Sequence, residues 1–135
     1  MNGKEDNQLD NDAMITEDVR TQQVEALQTV NEYIGKLIPS METVAGELSG
    51  DKQEDTDAYL QQIIDGLNWV IEVFNGTMSL INEERVIMDK DEINREVVQL
   101  SEALIDKNDA RVATVLESGI LPFLKQFQTI SAMYQ

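Results

Sequence analysis

The sequence contains no cysteine and no histidine among its 135 residues. The absence of cysteine excludes disulfides, thiolate metal sites and cysteine nucleophiles. The absence of histidine removes the commonest general base and the commonest metal ligand. A di-iron or di-manganese bundle needs Glu-x-x-His pairs and cannot be built from this chain. The sequence therefore predicts no metal site and no cofactor.

Basic residues are also scarce, because 10 Lys and Arg stand against 26 Asp and Glu, for a net charge of −16. A chain this acidic repels phosphate groups, so nucleic acid and anionic membranes are poor partners. The same charge favours a basic or amphipathic protein partner. No run of 18 apolar residues and no secretory signal occurs, and we expect a cytoplasmic location.

Catalytic motifs are missing as well, since the chain has no P-loop, nucleophile elbow or dinucleotide-binding glycine turn. A calcium loop beginning at Asp89 would need Gly at its sixth position and Glu at its twelfth, but Asn94 and Leu100 stand there. The acidic residues around Glu83 and Glu84 are interpreted as helix-end charges that favour solubility. The sequence predicts no catalytic residue and a protein that is not an enzyme.

Apolar residues recur at alternating steps of three and four in four segments, which is the period of an amphipathic helix. No segment shows the two-residue alternation of a strand. The pattern is typical of an all-α, up-down four-helix bundle. We expect residues 1–15 to form a flexible acidic leader and residues 16–135 to form the single bundle domain. The expected start sites of the four helices are Thr16 or Asp18, Asp55 or Thr56, Asp89 or Asp91, and Asp109.

Two prolines, Pro39 and Pro122, lie inside the apolar stripes of the first and last helices. The first stripe keeps its phase across Pro39, and Ile38 would be a poor N-cap for a new helix. Both helices are therefore predicted to be kinked at their prolines and not broken.

Trp69 is one candidate for binding a partner, since Gly66, Val73 and Gly76 surround it at helical spacings. Small residues around an aromatic side chain form a shallow groove that a partner fills. Alternatively, another helix of the same bundle packs there, because glycine permits close approach.

Phe123, Leu124 and Phe127 are the other candidates for partner binding, because the last helix is apolar nearly all round beside Pro122. One interpretation is that a ligand, a partner chain or a second copy of the protein, as in a homodimer, covers part of this helix. The other is that the kink turns both apolar faces inward.

The stretch from Asp109 to Leu124 carries the spacing D-x6-L-E-x3-L-P-x-L. It resembles a family of small uncharacterised helical proteins of Gram-positive bacteria, and the resemblance implies no activity or site. In size and acidity the chain also resembles the export chaperones of flagellar and type III secretion systems. We expect a non-enzymatic bundle that binds another protein, as an adaptor or a secretion chaperone. The alternative is a small-molecule carrier or sensor with an apolar pocket between helices.

Overall fold

The protein is an all-α four-helix bundle, as the sequence predicts, with no strand among residues 2–135. The computed structural model describes the backbone over that range and the side chains of residues 17–135. A π-helical segment joins two α-helical pieces into the fourth helix, and a short 3-10 turn follows it. The elements are α1 (Asn2–Gly50), α2 (Thr56–Ile81), α3 (Lys90–Ile105), α4 (Asp109–Val115), the π segment (Leu116–Ile120), α5 (Leu121–Ser131) and the 3-10 turn (Ala132–Tyr134).

Helix α1 begins at Asn2, earlier than the start predicted at Thr16 or Asp18. The side chains of residues 1–16 lie outside the described residues, so the flexible leader over residues 1–15 stays a prediction. The helix continues through Pro39, which therefore does not begin a separate helix.

The buried face of α1 is the surface on which α2, α4 and α5 pack. The apolar stripe predicted from the sequence is buried throughout, with seven residues that are each at most 5% exposed. Their alternating steps of three and four keep them on one side of the helix. They are Leu27, Val30, Ile34, Leu37, Met41, Val44 and Leu48.

Helix α2 begins and ends where the sequence predicts, with Asp55 at the N-cap position and Asn82 at the C-cap position. The Asp55 side chain makes no capping hydrogen bond. The buried Thr56 hydroxyl accepts a hydrogen bond from the backbone N–H of Gln53 at 2.8 Å and donates one to the Glu47 carboxylate at 2.7 Å. These bonds fasten the α1–α2 connection to the end of α1.

The fourth helix begins one residue earlier than a cap at Asp109 would give, because Asn108 is its N-cap. The Asn108 side chain accepts a hydrogen bond from the backbone N–H of Arg111 at 3.1 Å, while Asp109 is the first helical residue. Lys107 closes the preceding turn with a positive φ of 53°. The sequence prediction of a cap at Asp109 is therefore wrong by one position.

The fourth helix passes through Pro122 without a break, and its irregularity takes the form of the π segment immediately before the proline. Within it, the backbone N–H of Leu121 reaches back five residues to the carbonyl of Leu116. Proline cannot donate a backbone hydrogen bond, and the wider π turn accommodates that missing bond.

An aromatic cluster joins α2 to α5 in the centre of the bundle. The ring of Phe74 meets Phe123 edge to face at a centroid distance of 5.1 Å and meets Phe127 at 5.3 Å. Phe74 and Phe127 are completely buried. Edge-to-face pairs add about 0.5–1.5 kcal/mol beyond the area they bury.

We predict that Phe127→Ala lowers the free energy of unfolding by about 3–5 kcal/mol, because it leaves a cavity beside Phe74. Urea denaturation followed by circular dichroism measures this loss. Met133, in the 3-10 turn, is 72% exposed and provides the control. Met133→Ala should change stability by no more than about 0.5 kcal/mol. Equal stability of the two variants would contradict the packing described.

Candidate binding surface

The three C-terminal residues predicted to bind a partner are buried, since Phe123 is 7% exposed and Leu124 and Phe127 are 0% exposed. The prediction that these residues form an exposed patch is therefore wrong for the single chain. The structure supports the alternative in which the helix turns both apolar faces inward. The π segment contributes to this arrangement. One extra residue in a turn rotates the residues that follow it relative to a regular α-helix.

Trp69 lies at the surface with 38% exposure, and its ring meets Tyr33 of α1 edge to face at 5.4 Å. The same tyrosine covers Gly66, because a Cβ at that position would lie only 2.8 Å from the Tyr33 ring carbon Cζ. The groove expected beside Trp69 is thus filled at this point by a residue of the same chain. Glycine here permits the close approach of α1 and α2.

We predict that Gly66→Ala moves the Tyr33 ring and changes the fluorescence of Trp69, which is the protein's single tryptophan. The emission spectrum of the folded protein measures this change. In the control variant Gly76→Ala, the new methyl group enters open space. That variant should keep the emission spectrum and gain up to about 1 kcal/mol of stability from helix propensity. Identical spectra for both variants would contradict the Tyr33 contact.

Helix α3 lies at the edge of the bundle, where it packs mainly against α4 and the π segment. Its outward face carries Val98 and Ile105, which are 56% and 79% exposed. Residues seven apart share one helix face. In the connection before α3, Val86 is 77% exposed. The sequence interpretation missed these residues, although Val98 and Ile105 stand off the buried stripe of α3.

A shallow groove of about 720 Å³ runs along this outward face. We call it the α3 groove, and it combines one apolar side chain with charged and amide groups. Arg111 of α4 borders it and donates to Glu102 at 3.0 Å, while a second nitrogen lies 3.7 Å from Asp106. These exposed ion pairs orient side chains but contribute little stability. The groove is lined by Asp91, Asn94, Arg95, Val98, Gln99, Glu102 and Arg111.

Asn82 holds the connection that leads into α3. Its side-chain oxygen accepts hydrogen bonds from the backbone N–H groups of Ile87 and Met88 at 2.9 and 3.2 Å, and its amide donates to the Met88 carbonyl at 3.0 Å. Met88 is thereby directed into the core, while Val86 stays at the surface. Asp89 then caps α3 as predicted, by accepting from the backbone N–H of Asp91.

A cleft of about 270 Å³ separates the start of α3 from the π segment and α5. We call it the π cleft. Its apolar lining consists of Met88, Ile93, Pro122 and Phe123, and its polar lining consists of Asp89, Glu92, Arg95, Glu96, Ser118 and Gln126. The Glu96 carboxylate rests against the backbone of Gly119, where a Cβ would overlap it. Arg95 lines both the π cleft and the α3 groove, so the two adjoin.

An exposed ion pair fastens the end of α2 to α1. The Arg20 guanidinium donates a hydrogen bond to the Glu83 carboxylate at 2.6 Å. This bond, together with the positive charge, lowers the pKa of Glu83 below its ordinary value. Because the folded-state pKa is depressed, the pair's contribution to stability is present above the unfolded pKa and is lost as the pH falls through the folded one.

We predict that Arg20→Gln returns the pKa of Glu83 towards its ordinary value. NMR titration of the Glu83 side-chain carboxyl measures the shift. Arg95→Gln removes an equal charge elsewhere and should leave the pKa of Glu83 where it is. The same pKa in all three proteins would show that the ion pair does not form in solution.

No group of three or more acidic residues is placed to hold a metal ion among the residues the structure describes. Within the same part of the chain, no helix has the length and apolar character needed to span a membrane.

The model of a domain of unknown function, DUF8042, matches residues 25–130. The chain belongs to the DUF8042 family. The match begins inside α1 and ends inside α5, so it includes the α3 groove and the π cleft. The match confirms that the chain belongs to a family without an assigned function. It does not show the relation to proteins of Gram-positive bacteria that the sequence resemblance implies. No curated protein and no solved structure gives a significant match.

Proposed function

We propose that this protein is not an enzyme and that it acts by binding another protein along α3. The observation that carries the proposal is the exposed apolar face of this edge helix, where Val98 and Ile105 lie one above the other. Burying a side chain of this kind is worth about 1.5–3 kcal/mol. A helix face that leaves such residues in water beside a groove is typical of a helix-in-groove interface.

The proposed occupant is an amphipathic helix of a different protein, with apolar residues on one face and lysine or arginine beside them. Charge supports this choice, because a second copy of the chain would bring a second net charge of −16 to the interface. A basic segment is attracted by the same charge, which speeds association and excludes acidic competitors. The lining of the groove itself is balanced in charge, with Asp91 and Glu102 against Arg95 and Arg111, so the attraction comes from the net charge of the whole chain. A cytoplasmic adaptor or secretion chaperone is one form of this function.

The test uses a synthetic helical peptide with leucine at positions i, i+3, i+4 and i+7 and lysine elsewhere. A scrambled peptide of the same composition has no apolar face and serves as its control. We expect the first peptide, added to the ¹⁵N-labelled protein, to shift the amide NMR signals of α3 residues around Val98 and Ile105. Val98→Asp and Ile105→Asp should each weaken binding about tenfold, which corresponds to losing about 1.4 kcal/mol.

The matched control is Val19→Asp, which introduces the same charge at a valine that is 44% exposed on α1. This variant should bind the peptide with unchanged affinity. Equal weakening by Val19→Asp, or shifts on another face of the bundle, would exclude α3 as the binding site. A dimer in analytical ultracentrifugation that Val98→Asp converts to a monomer would assign the surface to a second copy instead.

A further inference from the structure

We infer that the π cleft receives an arginine side chain of the protein bound along α3. This inference rests on the proposed function, because the arginine is supplied by the segment that occupies the α3 groove. It adds to that proposal a specific anchor residue and a specific place for it.

The size and lining of the π cleft suit one long side chain. Its volume of about 270 Å³ falls below the range of roughly 300–1,000 Å³ that is usual for small-molecule sites. Met88, Ile93 and Phe123 give it an apolar side, against which the methylene stem of an arginine packs.

The charge of the π cleft favours a cation, because three carboxylates and one guanidinium line it. Glu92 and Glu96 stand one turn apart on α3 and therefore lie on the same side of the helix. The Asp89 carboxylate already accepts the backbone N–H of Asp91. A guanidinium carries five N–H donors in a planar fork that matches carboxylates, whereas lysine presents a compact ammonium. Ser118 and Gln126 add oxygen acceptors to the lining.

The position of the π cleft links it to the α3 groove. Arg95 lines both, so it forms the boundary between the α3 groove and the π cleft. Gly119 leaves room for the Glu96 carboxylate, since a Cβ at position 119 would overlap it. The anchor site therefore depends on a backbone contact that can be altered without changing any charge.

The first experiment titrates butylguanidinium, which has the arginine side chain and one further carbon in the place of Cα, into the ¹⁵N-labelled protein. We expect amide shifts at Glu92, Glu96, Gly119 and Gln126. Glu96→Gln should raise the dissociation constant about tenfold, because it removes a charged hydrogen-bond acceptor. Glu117→Gln makes the same change at an exposed site outside the cleft, and there the constant should stay the same. Equal effects of the two variants, or shifts spread over all acidic surfaces, would overturn the inference.

Gly119→Ala is the second test, because the added methyl group displaces the Glu96 carboxylate while every charge is kept. We expect this variant to retain its helical circular dichroism spectrum and to bind butylguanidinium more weakly. Unchanged binding by a folded Gly119→Ala protein would contradict the role given to Glu96.

The last experiment distinguishes the inferred arginine site from the proposed function. It uses variants of the leucine–lysine peptide in which one lysine of the polar face is replaced by arginine. At least one replacement should tighten binding of the peptide to the wild-type protein. The same replacement should not tighten its binding to the Glu96→Gln variant. Peptide binding at α3 without any such coupling would overturn the anchor and leave the proposed function intact. Butylguanidinium binding in the π cleft without peptide binding at α3 would overturn the proposed function, and the anchor role with it.

Discussion

The burial of a single face of α1 is the constraint on which the rest of the bundle depends. Helices α2, α4 and α5 all pack on that face, while α3 reaches the core through α4 and the π segment. The stripe from Leu27 to Leu48 is continuous across Pro39, so the burial on both sides holds the helix together where the proline removes a backbone bond. The edge position of α3 follows from this arrangement, since the central helix is already surrounded.

The π segment connects the core to the candidate binding surface. On its inner side it precedes the turn that brings Phe123 and Phe127 onto Phe74. On its outer side Gly119 supports the Glu96 carboxylate and forms one wall of the π cleft. π segments occur often at functional sites, because an extra residue changes where the following side chains point. Here one local irregularity both completes the core and opens a cleft.

Local patterns were sufficient to predict most of the fold. The apolar period predicted four helices, and the polar residues between them located the ends of α2 and the Asp89 cap of α3, since both signals act within a few residues. The π segment was beyond this reasoning, because a proline in a stripe indicates an irregular helix without indicating its kind. The burial of Phe127 depends on a contact with Phe74, more than fifty residues away, which no local pattern reveals. The sequence shows Val98 as an apolar residue outside the buried stripe of α3. Its exposure could be inferred only once α3 was known to lie at the edge of the bundle.

The acidity of the chain offsets a disadvantage of the exposed apolar face of α3. Exposed valine and isoleucine side chains favour self-association, and an uncharged bundle with this face would pair with its own copies. A net charge of −16 opposes that pairing and leaves the face available to a segment of opposite charge. Salt screens charges beyond about 8 Å at physiological ionic strength, so the repulsion acts mainly when two copies are close. Under the proposed function, the charge thus selects between partners at the distance where the apolar residues begin to touch.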